Sequence, residues 1–577
     1  MTEKGVDNKE VGAALREVAL LLELKGENPF KVKAYANAAR SIDRLEQDLS
    51  RVVREGKLRE VPGIGQGLAN QITELLRTGR LELLEDLRST VPPGHREMLR
   101  IPGLGAKKIK ALNDALHIET IGELEYACRE NRLVELQGFG QKSQEKILQA
   151  IQQVKKYQGR HLYGEVMGQA EEMLGKILSH PQVVRAQIAG SLRRKMEVIR
   201  NINLIASTSS AQDILAFFSD LPEVEGVHHK ESTHARLALS SGVEVDLVTT
   251  SDRLFPFALY QLTGSLSHWN AMRERAKTLG FDLSEQGLSR GNQSIPCKDE
   301  QGLFDALGMD FIPPELREDQ GEIEVSIHHQ LPRLVDDRDL KGVFHVHSAY
   351  SDGTKSIKSM AEAARKLGFS YLGLSDHSRS AAYAGGLTAE KLRAQWEEVD
   401  RVNGQMEGFH IFRGTESDIL PDGSLDYEES WLKQFDFVIA SVHSHFTLSR
   451  EEMTQRVVKA LRNPYTTLLG HPTGRLLLAR EPYAIDMERI IDEAAKADVA
   501  IELNAHPFRL DIDWRWCKYA KEKGVKMIIN PDAHDEDGLR DTRFGVGIAR
   551  KGWLEPGDIL NALDAEAMQT FLRRRKP

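Results

Sequence analysis

A chain of 577 residues is too long for one hydrophobic core and predicts three to five domains at roughly 100–200 residues each. Its 41% hydrophobic and 28% charged residues are an ordinary globular mix, no apolar run reaches the roughly 18–20 residues of a membrane span, and three scattered cysteines (Cys128, Cys297, Cys517) argue against a disulfide framework or a zinc ribbon. The net charge of −9 argues against coating nucleic acid through bulk positive charge, so contacts of that kind must use local basic patches and backbone amides.

The opening MTEKGVDNKE has no apolar segment behind its charges, so no secretory signal is expected and the reducing cytoplasm is the expected setting. Residues 1–155 read as helical, with apolar positions at helical spacing broken by Gly-x-Gly turns. One pattern occurs three times: VPGIGQGLANQI at 61–72, IPGLGAKKIKAL at 101–112 and LQGFGQKSQEKI at 136–147. Each is an apolar residue, a Gly-x-Gly turn and an amphipathic helix. One copy alone is only a turn. Three copies point to places where Gly63 and Gly65, Gly103 and Gly105, and Gly138 and Gly140 let a phosphate reach the first amides of a helix. Lys107 and Lys108 support the second copy, and Lys142 and Lys146 the third, where Phe139 leaves a structural role open. Residues 1–85 and 86–155 are read as two such helical domains.

Residues 156–250 change character. A helix near 162–178 leads to strand-like runs QIAGSL, NLIAST, RLALSS and VEVDLVTT. Residues 251–325 are mixed, and 326–340 read as a linker. From Lys341 to the end, strands and helices alternate. Seven short apolar strands stand out: GVFHVH, YLGLSDH, IFRGTES, FDFVIASVH, TTLLGHP, VAIELNA and MIINPDAH, with helix-like segments such as SIKSMAEAARKLG and DMERIIDEAAKA between most of them. Such alternation implies parallel strands, and seven suggest a closed or nearly closed barrel.

The strand ends carry the chemistry. His345 and His347 end the first strand, and Asp352 follows in its loop. His377 ends the second, Glu416 the third, His443 the fourth and His471 the fifth, while the seventh ends in Asp532 and His534. The sixth offers no obvious ligand, only Asn504 and His506. Chemistry in barrels of this type sits at the C-terminal rim, so nine imidazoles and carboxylates would converge there. One histidine after a strand is more often a hydrogen-bonded rim residue than a ligand. Six of seven strands ending in ligand-type residues is a metal site. Nine ligands exceed what one ion takes and match about three, and the histidine content favours zinc or manganese. His345, His347, Glu416 and Asp532 are taken as its catalytic core. Asp376, His445 and His506 are assigned to the surroundings of the ions, and His228, His229 and His234 to the surface.

These motifs resemble known families. HVHSAYSDG, LSDHS, GTESDIL, SVHSHF, GHPTGR and NPDAH look like the successive motifs of the PHP (polymerase and histidinol phosphatase) family over 341–577. That implies a distorted seven-stranded α/β barrel with three metal ions, and phosphatase, 3′-5′ exonuclease or abasic-site activity. Arg475 and Arg509 are candidate phosphate binders by charge and position, with Arg413 a weaker one. The three Gly-x-Gly repeats resemble helix–hairpin–helix DNA-binding motifs. AGSLRRKMEVIRNINLI at 189–205, VEVDLV and TGSLSHWN resemble the palm and thumb of family X DNA polymerases. The whole chain therefore resembles the bacterial family X polymerases that carry a C-terminal PHP domain. The implied architecture is multidomain: all-α helix–hairpin–helix domains, an α+β palm at 156–250 and thumb at 251–325, then the barrel.

The departures from that pattern matter. Asn201 and Asn203 stand where the family has two metal-binding aspartates, leaving Asp246 alone, so magnesium should be held weakly there at best. Gln261 and Leu262 replace Tyr-Phe, and Trp269 takes an expected asparagine's place. Gly190, Ser191, Arg193 and Arg194 persist, either as a residual triphosphate site or as a fold-keeping turn. Gln71 replaces the Schiff-base lysine of the family's lyase, so no lyase activity is expected. The reading is a monomeric DNA-repair nuclease acting on gapped, nicked or 3′-recessed duplex, with synthesis by the palm expected to be lost. Its rivals are an active gap-filling polymerase, a DNA-end scaffold with structural metals, and a small phosphomonoesterase with vestigial DNA domains.

Overall fold

The computed structural model describes residues 6–574 except 46, 117, 130–132, 134–135, 137, 158, 382–383 and 479–480. The chain divides into two compact units, Met1–Gln158 and Gly159–Pro577. Among the described residues no helix is long and apolar enough to cross a membrane.

The first unit is helical. Its longest helices, Asn8–Leu24 and Pro29–Asp43, start at side-chain caps, where Asp7 accepts from Glu10 N and Asn28 from Phe30 N. Their apolar faces join one core with Ile72, Leu84, Ile109, Leu124 and Ile151. The three hairpin turns have the same hydrogen-bond pattern. Ile64 N donates to Val61 O, Leu104 N to Ile101 O and Phe139 N to Leu136 O, each at 3.0–3.1 Å.

The second unit begins with helix Tyr163–Leu178 and a five-stranded sheet. Strand Asn201–Thr208 lies between Val183–Ala189 (antiparallel) and Glu244–Thr250 (parallel), followed by His234–Leu239 and Val224–Lys230. The edge strand Val224–Lys230 was not among the expected strands, because VEGVHHK is mostly exposed and has little apolar signal. QIAGSL is not one strand: it turns into a short helix at Gly190. Helices Phe255–Thr263 and Leu266–Thr278 and three short strands over Asp282–Ile295 form a further core with Leu303 and Phe304.

All seven expected barrel strands are present: Gly342–Val346, Tyr371–Leu374, His410–Asp418, Phe437–Ser441, Leu468–Leu469, Ala500–Asn504 and Met527–Asn530. They pair in sequence order and in parallel. A bridge between Val346 and Ala533 nearly closes the ring, with His347 N donating to Ala533 O at 2.9 Å. Helices cover the outside; Ile357–Lys366, for instance, buries Ile357, Met360, Ala361 and Ala364 at helical spacing. Both strand faces are therefore buried, as parallel sheets require.

Inside the barrel, polarity changes with height. Phe344, Phe412, Phe437, Ile439, Leu468, Ala500 and Ile528 pack together at the bottom with Met568 and Leu572 of helix Ala565–Arg574. Two residues further along the same strand faces stand Glu502 and Asn530, and four further stands Glu416. The glycines in between make room: a Cβ at Gly414 would come within 2.2 Å of the Phe437 ring. A register shift between Val343 and Val346 lets Phe344 and His345 both face inward.

Residues 326–340 are not a free linker. Val335 is fully buried, and its N–H donates to Leu554 O at 3.0 Å. The palm also packs on the barrel. A Cβ at Gly164 would come within 2.7 Å of Pro507, and Lys551 of barrel helix Thr542–Lys551 pairs with Glu318 while donating to Arg194 O.

Candidate functional site

The nine residues expected to be ligands come together at the rim, in four overlapping groups. These are His347, Asp352, His377 and His534; His345, His471 and Asp532; His345, His347 and Glu416; and His377, Glu416 and His443. Within each group the donor atoms lie within 4.8 Å of one another, a spacing close to that of ligands around one ion. Glu416 Oε1 lies 3.2 Å from His345 Nε2, 3.1 Å from His443 Nε2 and 2.9 Å from His471 Nε2, and its Oε2 lies 2.9 Å from His377 Nδ1. Asp532 Oδ1 lies 3.3–3.4 Å from His345 and His347 Nε2, and Asp352 Oδ2 the same range from His377 and His534 Nε2.

Several of these contacts do not satisfy the atoms involved. His345 Nε2 and both ring nitrogens of His347 are buried with no hydrogen-bond partner. Buried polar atoms of this kind are costly unless something else satisfies them, and divalent cations fit this donor set. The charge balance asks for the same thing. Burial opposes protonation of His377 and His443, yet Glu416 and the neighbouring aspartates outweigh it and push their pKa values up to about 10 and about 9. Glu416 and Asp532 are held well below the carboxylate range despite burial, by the surrounding imidazoles.

Local backbone aims these groups. Asp532 has φ 53°, a left-handed conformation unusual for aspartate, which turns its carboxylate off the strand line into the cluster. After Asp352, a Cβ at Gly353 would strike the His347 carbonyl carbon and oxygen at 2.6 Å, so the loop closes over His347 only with glycine there.

Sequence reading missed two acids. The sixth strand does contribute: fully buried Glu502 accepts from His345 Nδ1 at 2.7 Å, from Asn530 Nδ2 at 3.0 Å and from the His471 amide at 2.7 Å. Its carboxyl is lowered because His345 and His471 outweigh burial, so it is acceptor-only and the proton sits on Nδ1. That presents His345 Nε2 as the ligand. Asp418 does the same for His443 Nδ1 at 2.6 Å. Both acids could have been noticed as carboxylates inside strands otherwise fit for complete burial. Asp376 is buried and anchors Ser348 and Gln395. His445 is exposed.

The two arginines differ. Arg509 Nε lies 3.4 Å from Asp532 Oδ2, beside the cluster. Arg475 is 7% exposed, and its guanidinium is spent on Arg509 O, Leu510 O, Asp513 and Glu197. With its donors engaged it is not placed to bind a phosphate; it clips the rim loop to the palm. Arg413 pairs with Asp400 at 3.6 Å.

In the palm, Asn203 lies in register with Asp246. Asp246 accepts from Asn201 at 2.5 Å, His234 at 2.8 Å and Arg236 at 2.9 Å. His234 is thus not a surface bystander, although His228 and His229 are exposed. Gly190 has φ 67°, and a Cβ there would meet the Asn203 amide at 2.5 Å. Arg193 is held by Glu300 and Thr263, and Arg194 by Glu318 and the Thr263 carbonyl. This favours the fold-keeping turn over a triphosphate site.

In the helical unit, Gly63, Gly103 and Gly138 have φ of 81–90° and need glycine for that reason. Gly65, Gly105 and Gly140 do not: their φ lies outside that region, and a Cβ at each would meet nothing within 4 Å. Neither conformation nor internal packing calls for glycine there, which leaves approach from outside. Lys107 is exposed, while Lys108 bonds Gly103 O and lies 5.7 Å over buried Phe139. At the lyase position, Gln71 accepts from Tyr35 OH at 2.7 Å.

Comparison with known proteins follows the same division. Family models match a helix-hairpin-helix domain at 6–81, a SAM-like helix-hairpin-helix tandem at 96–153, the DNA polymerase beta thumb at 258–318 and the PHP domain at 344–506. The chain is 37% identical over 570 residues to the "DNA polymerase/3'-5' exonuclease PolX" of Bacillus subtilis, covering 98% of this chain and 99% of that protein. The chain belongs to the PolX family. Its barrel alone is similar to a protein named "Probable phosphatase" in Thermoanaerobacter sp. (strain X514), 26% identical over 243 residues, 40% of this chain and 94% of that one. A protein of that name from Caldanaerobacter subterraneus is 32% identical over 140 residues, 22% of this chain and 53% of its own. In the palm of this chain the strand positions beside Asp246 are the amides Asn201 and Asn203.

Proposed function

We propose that this PolX-family chain is a metal-dependent phosphodiesterase that trims or clears 3′ ends of gapped, nicked or recessed DNA as a monomer, and that its palm no longer synthesises DNA. The carrying observation is the convergence of nine ligand-type side chains on one rim, with His347 buried and unsatisfied. The Bacillus subtilis relative's name and the phosphatase relatives of the barrel support the same class of reaction. A cytoplasmic setting agrees with Cys128, Cys297 and Cys517 forming no disulfide.

Three divalent ions, zinc or manganese, would be held by the overlapping groups, with Glu416 shared between two of them. When bound, such ions supply an activated water and neutralise phosphate charge. The chain's own groups prepare the site. Glu502 and Asp418 fix which imidazole nitrogens face it. Asn504 and Arg509 hold Asp532 Oδ2, leaving Oδ1 directed at His345 and His347. Arg509, beside Asp532, would receive a phosphate oxygen.

Stripping metal with a chelator should abolish release of nucleotides from a 5′-labelled strand in a gapped duplex, and zinc or manganese should restore it. Hydrolysis that persists in a chain shown by metal analysis to be metal-free would overturn the reading.

DNA would be held through backbone amides at the hairpins of 1–85 and 86–155. Replacing Gly103 and Gly105 with valine should weaken binding of unrelated sequences alike, by about tenfold, with moderate salt dependence because amides release few counterions. Binding titrations across sequences and salt check this; unchanged affinity would remove the hairpins from the binding surface.

A further inference from the structure

The loop after the sixth barrel strand, which carries Arg509 to the metal cluster, leaves an aromatic ring uncovered. Phe508 is 45% exposed, although large apolar side chains are usually covered. Its backbone is fixed. The amides of Arg509 and Leu510 both donate to His506 O, at 2.8 and 3.1 Å, and Phe508 O accepts from Leu477 N at 2.7 Å. Pro507 packs on Gly164 of the palm helix. The ring is therefore held out by an ordered turn.

Its neighbours connect it to the chemistry. The His506 ring lies 5.8 Å away, and the His506 amide donates to Asn504 Oδ1, while Asn504 Nδ2 bonds Asp532. On the other side Arg509 Nε lies 3.4 Å from Asp532 Oδ2. One turn thus carries an exposed flat ring, an imidazole 5.8 Å from it and a guanidinium that reaches an acid of the cluster. That combination matches a nucleotide, which offers a flat base at one end and a phosphate at the other.

We infer that Phe508, with His506 beside it, is a stacking platform for the terminal base of a nucleic-acid strand whose phosphate lies at Arg509 and the cluster. The inference rests on the phosphodiesterase reading and narrows its substrate class to strand ends that carry a base, as opposed to small sugar phosphates. Aromatic stacking accepts every base, so the platform imposes no sequence preference.

The test uses the full metal-loaded chain and two 5′-labelled single-stranded oligonucleotides that differ only in whether the 3′-terminal residue has a base or is abasic. The native chain should show a KM for the base-bearing end lower by on the order of tenfold, with similar kcat for both. Phe508→Ala should collapse this ratio toward one, and Phe508→Trp should keep it, with metal content and melting temperature as controls for folding. Equal KM values in the native chain, or a ratio that survives Phe508→Ala, overturn the platform while leaving the diesterase reading intact. A native chain that hydrolyses neither oligonucleotide overturns the platform, and one that also leaves a gapped duplex intact overturns the diesterase reading as well.

Discussion

Alanine at Glu416 or Asp532 should lower hydrolysis at least about a thousandfold, because either change removes a charged group shared by several ligands, and each 1.4 kcal/mol of lost transition-state stabilisation is tenfold in rate. Glu416 touches His345, His377, His443 and His471, so its loss is felt by four ligands at once. DNA affinity should change little, since the hairpin glycines belong to the other compact unit. Metal content should fall in the same variants. Glu502→Gln should be milder, weakening metal binding by about 10- to 100-fold, because a neutral amide no longer fixes the His345 proton. Metal analysis, a hydrolysis assay and a binding titration on each purified variant check these outcomes together. A variant that loses its metal yet keeps native hydrolysis would sink the assignment.

The second large effect concerns the palm. The chain should not extend a primer across a one-nucleotide gap, even when Asp532→Ala prevents degradation from hiding synthesis. On the proposed reading, amides stand at 201 and 203 where two-metal synthesis needs carboxylates, and the loss of each should cost several kcal/mol of transition-state stabilisation, or about a hundredfold or more in rate. Asn201→Asp with Asn203→Asp should recover only weak synthesis. Arg236 and His234 both occupy Asp246 Oδ1 and Asn201 occupies Oδ2, and these hydrogen bonds hold its carboxyl low against the opposing effect of burial. Robust incorporation by the native asparagines, read on a sequencing gel, would restore the polymerase reading.

The barrel was legible in the sequence because each strand is a short apolar run that ends where its ligand begins; GVFHVH contains both the wall and the chemistry. What was hidden depended on partners far along the chain. Glu502 reads as one acid in VAIELNA until His345, 157 residues away, is seen against it. Arg475 has the charge of a phosphate binder, but whether its donors are free is decided by Glu197, 278 residues away. His234 looked like a surface histidine because its acceptor, Asp246, lies on the neighbouring strand. Residues 326–340 looked like a tether because PRLVDDRD is polar, although Leu334 and Val335 are enough to fasten it.

The seam between palm and barrel sets which parts of the palm remain free to change. Gln261 bonds within its own region, to Glu285. Gly164, Glu197 and Arg194 answer to the barrel, through Pro507, Arg475 and Lys551. A larger residue at 164 would push on the turn that carries Phe508 and Arg509, so a mutation in the palm would be felt as a defect in hydrolysis. The palm is therefore expected to keep the side that faces the barrel, and a barrel excised at Lys341 would keep its strands but lose the supports at Leu554, Pro507 and Arg475.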